Sequence, residues 1–205
     1  MALMPPPTPT QNDLFADNRY PPGLRYRPDF LSAAEEAALL DAIEALPLTE
    51  ADYKGWKAKR RIVSYGARYD FGRSVLESAD PVPAFLAPLR ARIAAETGLG
   101  EDELAYALVA EYREGVQLGW HRDVPTFETV VGVSLLGPAR MRFRPYPPSP
   151  GRRRAAFALD LAPRSLYVLD GDARWRWQHA ISPTKALRYS ITFRTLSNGA
   201  SRAPL

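Results

Sequence analysis

No cysteine occurs among the 205 residues, which excludes disulfides and any thiolate metal site. Histidine is almost as scarce: His121 and His179 are the only two, so any imidazole chemistry has to pass through them. Lysine is confined to Lys54, Lys57, Lys59 and Lys185, although basic residues number 27 against 23 acidic ones. No run of about 18 apolar residues exists, which argues against a membrane-spanning helix, and the N-terminus lacks the basic-then-apolar order of a signal peptide. A cytoplasmic monomer without membrane contact is the expectation.

What is present is a globular composition, 46% hydrophobic and 24% charged, with a net charge of +4. The length fits one domain with a core of its own. The basicity is arginine basicity. A GC-rich genome produces that excess, and so does a phosphate-bearing partner, because arginine forks onto phosphate and stacks on bases.

Residues 1–23 read as a flexible tail, since Pro5, Pro6, Pro7 and Pro9 with polar spacers support neither helix nor paired strand. The domain is expected over 24–197, with a short tail at 198–205. Ser32 to Glu35 form a capping box ahead of Leu39, Leu40, Ile43 and Leu46, which predicts a helix over 33–46. A second helix is predicted over 83–97, stopped by Gly98. Between them, residues 53–73 interleave aromatics and bases and read as short strands and loops. Beyond residue 105 the period falls to two. Strands are predicted at 105–112, 129–136, 139–145, 155–160, 165–169, 174–180 and 187–195. Two helices followed by about seven short strands define an α+β fold whose second half is a β-sandwich or jelly roll.

His121 and Asp123 stand two residues apart, so in an extended chain both side chains leave one face. His179 follows on another predicted strand. Two histidines and a carboxylate are the ligands of the facial triad of non-haem iron(II) oxygenases, which leaves three metal positions open. Taken alone, the short motif is equally a solvated turn. The last strand adds weight. Arg188, Ser190, Thr192 and Arg194 share one face, while Tyr189, Ile191 and Phe193 share the apolar other. If the first face lines an interior, two buried guanidinium groups require an anion. A dicarboxylate meets that need, because arginine and carboxylate pair bidentately. Were it an exposed edge strand, the arginines would lie in water.

The spacing His121-x-Asp123, His179, then Arg188-x-x-x-Thr192-x-Arg194 resembles the AlkB family of iron(II)- and 2-oxoglutarate-dependent dioxygenases. The resemblance covers roughly residues 24 to 196 and is most specific at 111–123, 163–171 and 188–194. It implies a double-stranded β-helix. It further implies that His121, Asp123 and His179 hold Fe(II) and are the catalytic centre. By the same similarity Arg188 and Tyr112 take the distal carboxylate of 2-oxoglutarate, Arg194 lies near the keto-acid end, and Ser190 and Thr192 complete the cosubstrate site. The implied reaction consumes O2, converts 2-oxoglutarate to succinate and removes an N-methyl group as formaldehyde. The chain departs from the family pattern at Ala110 and Ser190, where asparagine is common. It also departs at Pro125, where the repair enzymes commonly carry an acid near the bound base, a role for which Glu128 is the substitute.

For the substrate, the sequence points to an unpaired or flipped alkylated base in nucleic acid, with demethylation as the activity. Trp56, Lys59, Arg60, Arg61, Tyr65 and Tyr69 are expected to form a stacking and phosphate-holding lid. Arg140, Arg142 and Arg144 on one strand face, with Arg152, Arg153 and Arg154 beyond, are expected to track a phosphate backbone. The alternatives are the same chemistry on a protein side chain or small molecule, and a non-catalytic nucleic-acid-binding module. Gln11–Phe15 resembles the short peptide with which bacterial proteins dock on the polymerase sliding clamp. Leu14 and Phe15 would equally serve to cover the protein's own apolar surface.

Overall fold

Period-two alternation builds two facing antiparallel sheets. The computed structural model describes residues 20–53, 56–70, 72–73, 75–147 and 155–197. Its strands are β1 (Leu24–Arg27), β2 (Thr49–Tyr53), β3 (Trp56–Tyr65), β4 (Ala67–Asp70), β5 (Val75–Ser78), β6 (Tyr106–Tyr112) and β7 (Leu118–His121). They continue with β8 (Phe127–Leu135), β9 (Ala139–Pro145), β10 (Phe157–Leu161), β11 (Leu166–Leu169), β12 (Trp177–Ile181) and β13 (Arg188–Leu196). The major sheet runs β1-β11-β8-β13-β6-β3-β2, the minor sheet β10-β9-β12-β7, and β4 pairs with β5 alone. This is the jelly roll the strand pattern predicts, with the helices on one sheet.

Helix α1 (Ala33–Glu44) opens with both halves of its capping box made: Glu35 N–H donates to Ser32 Oγ, and Ser32 N–H donates to Glu35 Oε2. It ends two residues before the predicted boundary because Pro47 disfavours helical backbone at Leu46. A 3₁₀ turn (Ala84–Leu86) leads into α2 (Ala87–Thr97), which Gly98 terminates at φ +77°. Leu39, Ile43, Leu89 and Ile93 from the helices pack on Val109, Val133, Ile191 and Phe193 of the major sheet. Each such side chain contributes about 1.5–3 kcal/mol of burial free energy. A second core fills the space between the sheets, with Val130, Met141, Phe143, Leu161 and Leu169 among its members.

The alternation of β13 sorts as predicted. Tyr189, Ile191 and Phe193 join the helix-side core, while Arg188, Ser190, Thr192 and Arg194 line the cavity between the sheets. Four strands differ from the sequence-based expectation. The segment read as short strands and loops contains the ten-residue β3, added to the major sheet beside β6. The strand predicted from 174 starts at Trp177, because Asp170 accepts a hydrogen bond from Gly171 N–H and caps the short helix α3 (Gly171–Trp175). Finally, β1 and β7 have only four residues each, too few to show a period. At the start of the described chain Tyr20 packs its ring on Phe157, centroids 5.2 Å apart. Gln11–Phe15, Arg152–Arg154 and residues 198–205 lie outside the described residues.

Candidate metal centre

The antiparallel pairing of β7 with β12 sets His121 directly opposite His179, with ring centroids 4.3 Å apart. The strand ends at His121, and the turn that follows brings Asp123 back to the pair. One ligand atom from each of the three lies within 4.8 Å of the others. His121 Nδ1 sits 2.9 Å from the carbonyl of Gly119. A carbonyl only accepts, so Nδ1 carries the proton and Nε2 keeps its lone pair for a metal. Arg194 donates from Nε and Nη2 to Asp123 Oδ1, both at 3.2 Å. That leaves Oδ2 facing His179 Nε2 at 3.5 Å.

The protonation states suit ligation. Burial pushes His179 down to about 3, and the neighbouring His121 adds to the effect. Burial also lowers His121. For Asp123, burial acts to raise the pKa but is outweighed by Arg194 and the two histidines, which hold the carboxyl well below its usual range. The result is two neutral imidazoles and a carboxylate, the donor set of a facial iron(II) site.

Arg174 holds the Asp123 turn from beneath. It is 2% exposed, and its Nη2 donates to the carbonyls of Asp123, Val124 and Phe127 at 3.1, 2.8 and 2.8 Å. Nothing in the sequence marks this residue. A long cation one turn after the cap at Asp170 has no local signature, since its three acceptors lie about fifty residues away.

The opposite end of the cavity is built for an anion. Arg188 is 1% exposed; its Nε donates to Ser134 Oγ at 3.0 Å, and its guanidinium lies 4.9 Å from the ring centre of Tyr112. Its Nη1 is buried without a hydrogen-bond partner, an arrangement that costs about 1–3 kcal/mol unless a ligand accepts from it. A carboxylate fits that place. Tyr167 also enters this cavity, another residue the sequence reading did not single out. Its register partner is Gly132, where a Cβ would stand 2.2 Å from Tyr167 Cζ. The missing side chain makes room for the ring to lie across the sheet.

The remaining expected site residues divide. Ser190 and Thr192 line the cavity; Thr192 Oγ1 accepts from Arg194 Nη1 at 3.0 Å. Lys59 is exposed, and nothing is described of the Trp56 side chain. Arg60 turns inward and lines the cavity. Arg61 points to the other face of β3, donating to both carboxylate oxygens of buried Glu111 and to Leu48 O. Tyr65, on that same face, belongs to the helix-side core. Tyr69 lies on the β4–β5 ribbon. Glu128 accepts from Trp175 Nε1 at 2.7 Å and is not part of the cavity lining. Among the described side chains, the residues expected to make one lid are therefore divided, with Arg60 and Arg61 sent to opposite faces of β3.

A jelly roll carrying His121, Asp123 and His179 at one end of its cavity and unpaired guanidinium groups at the other defines a non-haem iron oxygenase with an acidic cosubstrate. The chain belongs to the 2OG-Fe(II) oxygenase superfamily, whose family model matches residues 23–194 and whose cofactors are Fe(II), 2-oxoglutarate and O2; AlkB homologues are among the proteins it is similar to. The alkylated DNA repair protein ALKBH8 homolog of Arabidopsis thaliana is 33% identical over 183 residues, 78% of this chain and 51% of that protein. The alpha-ketoglutarate-dependent dioxygenase alkB homolog 7, mitochondrial, of Bos taurus is 33% identical over 158 residues, 76% of this chain and 65% of that protein. The chain thus spans between about half and two thirds of these relatives' length. The structure of OsALKBH1 matches with a TM-score of 0.68 over 86% of this chain and 98% of that one, at 16% identity, a likeness of fold alone. No helix among the described residues is long and apolar enough to cross a membrane.

Proposed function

We propose that this dioxygenase oxidatively demethylates N-alkylated bases in single-stranded or flipped-out nucleic acid. The observation that carries the reading is a run of arginines stacked on aromatic rings around the metal strands. On the outer face of β9, Arg142 and Arg144 lie 5.1 and 4.5 Å from the ring centre of Trp120. Arg122, between two metal ligands in sequence, lies 3.8 Å from that of Tyr146. None of these three pairs with a carboxylate among the described residues, whereas Arg140 on the same strand is neutralised by Asp160. Guanidinium groups without a carboxylate partner, interleaved with aromatics, suit a phosphate backbone with unstacked bases. The name of the Arabidopsis relative points the same way.

The residues divide the work. His121, Asp123 and His179 would hold iron(II), with Arg174 and Arg194 fixing the aspartate. Arg188 and Tyr112 would orient 2-oxoglutarate. Held there, iron(II) with 2-oxoglutarate and O2 would supply the oxidising chemistry for hydroxylating an N-methyl group, with one oxygen atom going to the methyl group and the other to succinate as 2-oxoglutarate loses CO2. Met141, Ile181, Leu118 and Leu108 line the cavity as apolar walls and limit water around the reacting centre. The hydroxymethyl product then releases formaldehyde.

One observation favours a protein or small-molecule substrate instead. Pro125 offers no acid near the metal, and Glu128 is engaged by Trp175. Mass spectrometry of alkylated single-stranded oligonucleotides, incubated with protein, iron(II) and 2-oxoglutarate, decides between them. Loss of the methyl group with matching succinate supports the nucleic-acid reading. Succinate formed without oligonucleotide demethylation sinks it.

A further inference from the structure

We propose that Arg60 is a second arginine of the cosubstrate site, which binds the distal carboxylate of 2-oxoglutarate jointly with Arg188 across the phenol of Tyr112. It is thereby a specificity-determining residue for dicarboxylates. The inference rests on the family's cosubstrate and is independent of the nucleic-acid reading.

The strands place it there. On β3 and β6, Ile62 pairs with Ala110 and Arg61 with Glu111; the pairing ends there, and Arg60, in the irregular stretch of β3 that follows, turns to Tyr112. On the other side, β13 pairs Arg188 with Tyr112. The three side chains form one row across the inner face of the major sheet, with the tyrosine between two guanidinium groups. Arg60 Nη1 donates to Tyr112 Oη at 3.3 Å. The guanidinium carbons of Arg60 and Arg188 lie 6.0 and 4.9 Å from the Tyr112 ring centre.

This row has excess positive charge and unspent donors. Neither arginine has a carboxylate partner among the described residues. Arg188 Nη1 and Arg60 Nε are both buried without a hydrogen-bond partner. Two cations flanking one buried phenol repel each other, and the arrangement becomes favourable only with an anion between them. Tyr112 Oη already accepts from Arg60, so its own proton is free to donate to a ligand. Arg60, Tyr112 and Arg188 then present converging donors to one carboxylate. A single guanidinium suffices to hold a carboxylate; a second raises the preference for ligands that carry a charge at the end far from the metal. Lys59 is exposed and Arg61 is bound to Glu111, so Arg60 acts without its basic neighbours.

Calorimetric titration of the manganese-loaded protein with 2-oxoglutarate and with 2-oxobutyrate, which lacks the distal carboxylate, tests this. Arg60→Gln is expected to weaken 2-oxoglutarate binding about tenfold or more, the scale of a charge-assisted hydrogen bond lost from a desolvated site. Binding of 2-oxobutyrate should stay within about twofold, because no new contact is lost. Arg60→Lys should recover part of the loss, and Arg60→Gln with Tyr112→Phe should be less than additive. In the wild-type protein, 2-oxoglutarate but not 2-oxobutyrate should shield Arg60 from phenylglyoxal, read by peptide mass spectrometry, so the test does not depend on any variant folding. Unchanged 2-oxoglutarate affinity in Arg60→Gln, equal losses for both ligands, or labelling of Arg60 unaffected by 2-oxoglutarate would each overturn the assignment. A lowered salt dependence of oligonucleotide binding with intact 2-oxoglutarate affinity would overturn it too, and would return Arg60 to the substrate.

Discussion

Arg194 grips Asp123 through two nitrogens on the same oxygen, Nε and Nη2 to Oδ1 at 3.2 Å each. The carboxylate is thereby fixed in rotation, and Oδ2 is the oxygen left toward His179. Arg194→Ala should therefore weaken manganese or iron(II) binding about 10–100-fold, the usual cost of removing a group that orients a ligand. Metal titration followed by calorimetry checks this. Affinity within twofold of wild type would mean that Asp123 is positioned by Arg174 alone.

The metal-free protein should lose stability on mild acidification. Both histidines are protonated less readily in the folded state than in the unfolded one, His179 falling from 6.5 to about 3. The unfolded chain then binds more protons across that interval, so stability is intact above about pH 6.5 and is lost as the pH falls toward 3. Asp123 contributes only below about pH 4, near the ordinary carboxylate value. Melting temperatures of the chelator-treated protein from pH 7 to pH 4.5 should fall, and His179→Gln should flatten the slope. An equal slope in the variant would show that His179 titrates normally.

Gly132 and Tyr167 form a small-for-large pair, since a Cβ at residue 132 would stand 2.2 Å from Tyr167 Cζ. Gly132→Ala should cost about 1–3 kcal/mol in denaturant unfolding, the range for overpacking. Adding Tyr167→Leu should restore most of that stability. Failure of the second change to rescue the first would mean that the glycine serves the backbone and not the ring.

Replacing Arg142 and Arg144 together with glutamine should weaken single-stranded oligonucleotide binding. The log–log salt slope should fall by about 0.7 for each phosphate contact removed. Arg61→Gln should leave that slope alone and lower stability instead, because buried Glu111 loses its two-oxygen partner and keeps only Arg113 and Tyr189. The reverse pattern would put the nucleic acid on the far side of the major sheet.

Much of this was legible in the sequence, for reasons that differ by residue. The period of β13 sorted Arg188 and Arg194 from Ile191 and Phe193 because a two-residue repeat has only two outcomes. With only two histidines, the metal ligands had little competition. The capping box fixed the start of α1. What stayed hidden was non-local. Arg60 and Arg61 look alike in sequence, and only the register of β3 on β6 separates a cavity residue from a partner of Glu111. Tyr65 reads as an exposed aromatic among bases until the helices cover it. Arg174 has no local motif, and the glycine that admits Tyr167 lies 35 positions earlier on a neighbouring strand.

The central claim is that His121, Asp123 and His179 together hold the iron at which 2-oxoglutarate is consumed. Succinate production with iron(II) and 2-oxoglutarate, measured for the wild type and for His121→Ala, Asp123→Ala and His179→Ala alongside circular dichroism, tests it most directly. Turnover is expected in the wild type, and none above background in the three folded variants. Undiminished 2-oxoglutarate decarboxylation in all three would contradict it.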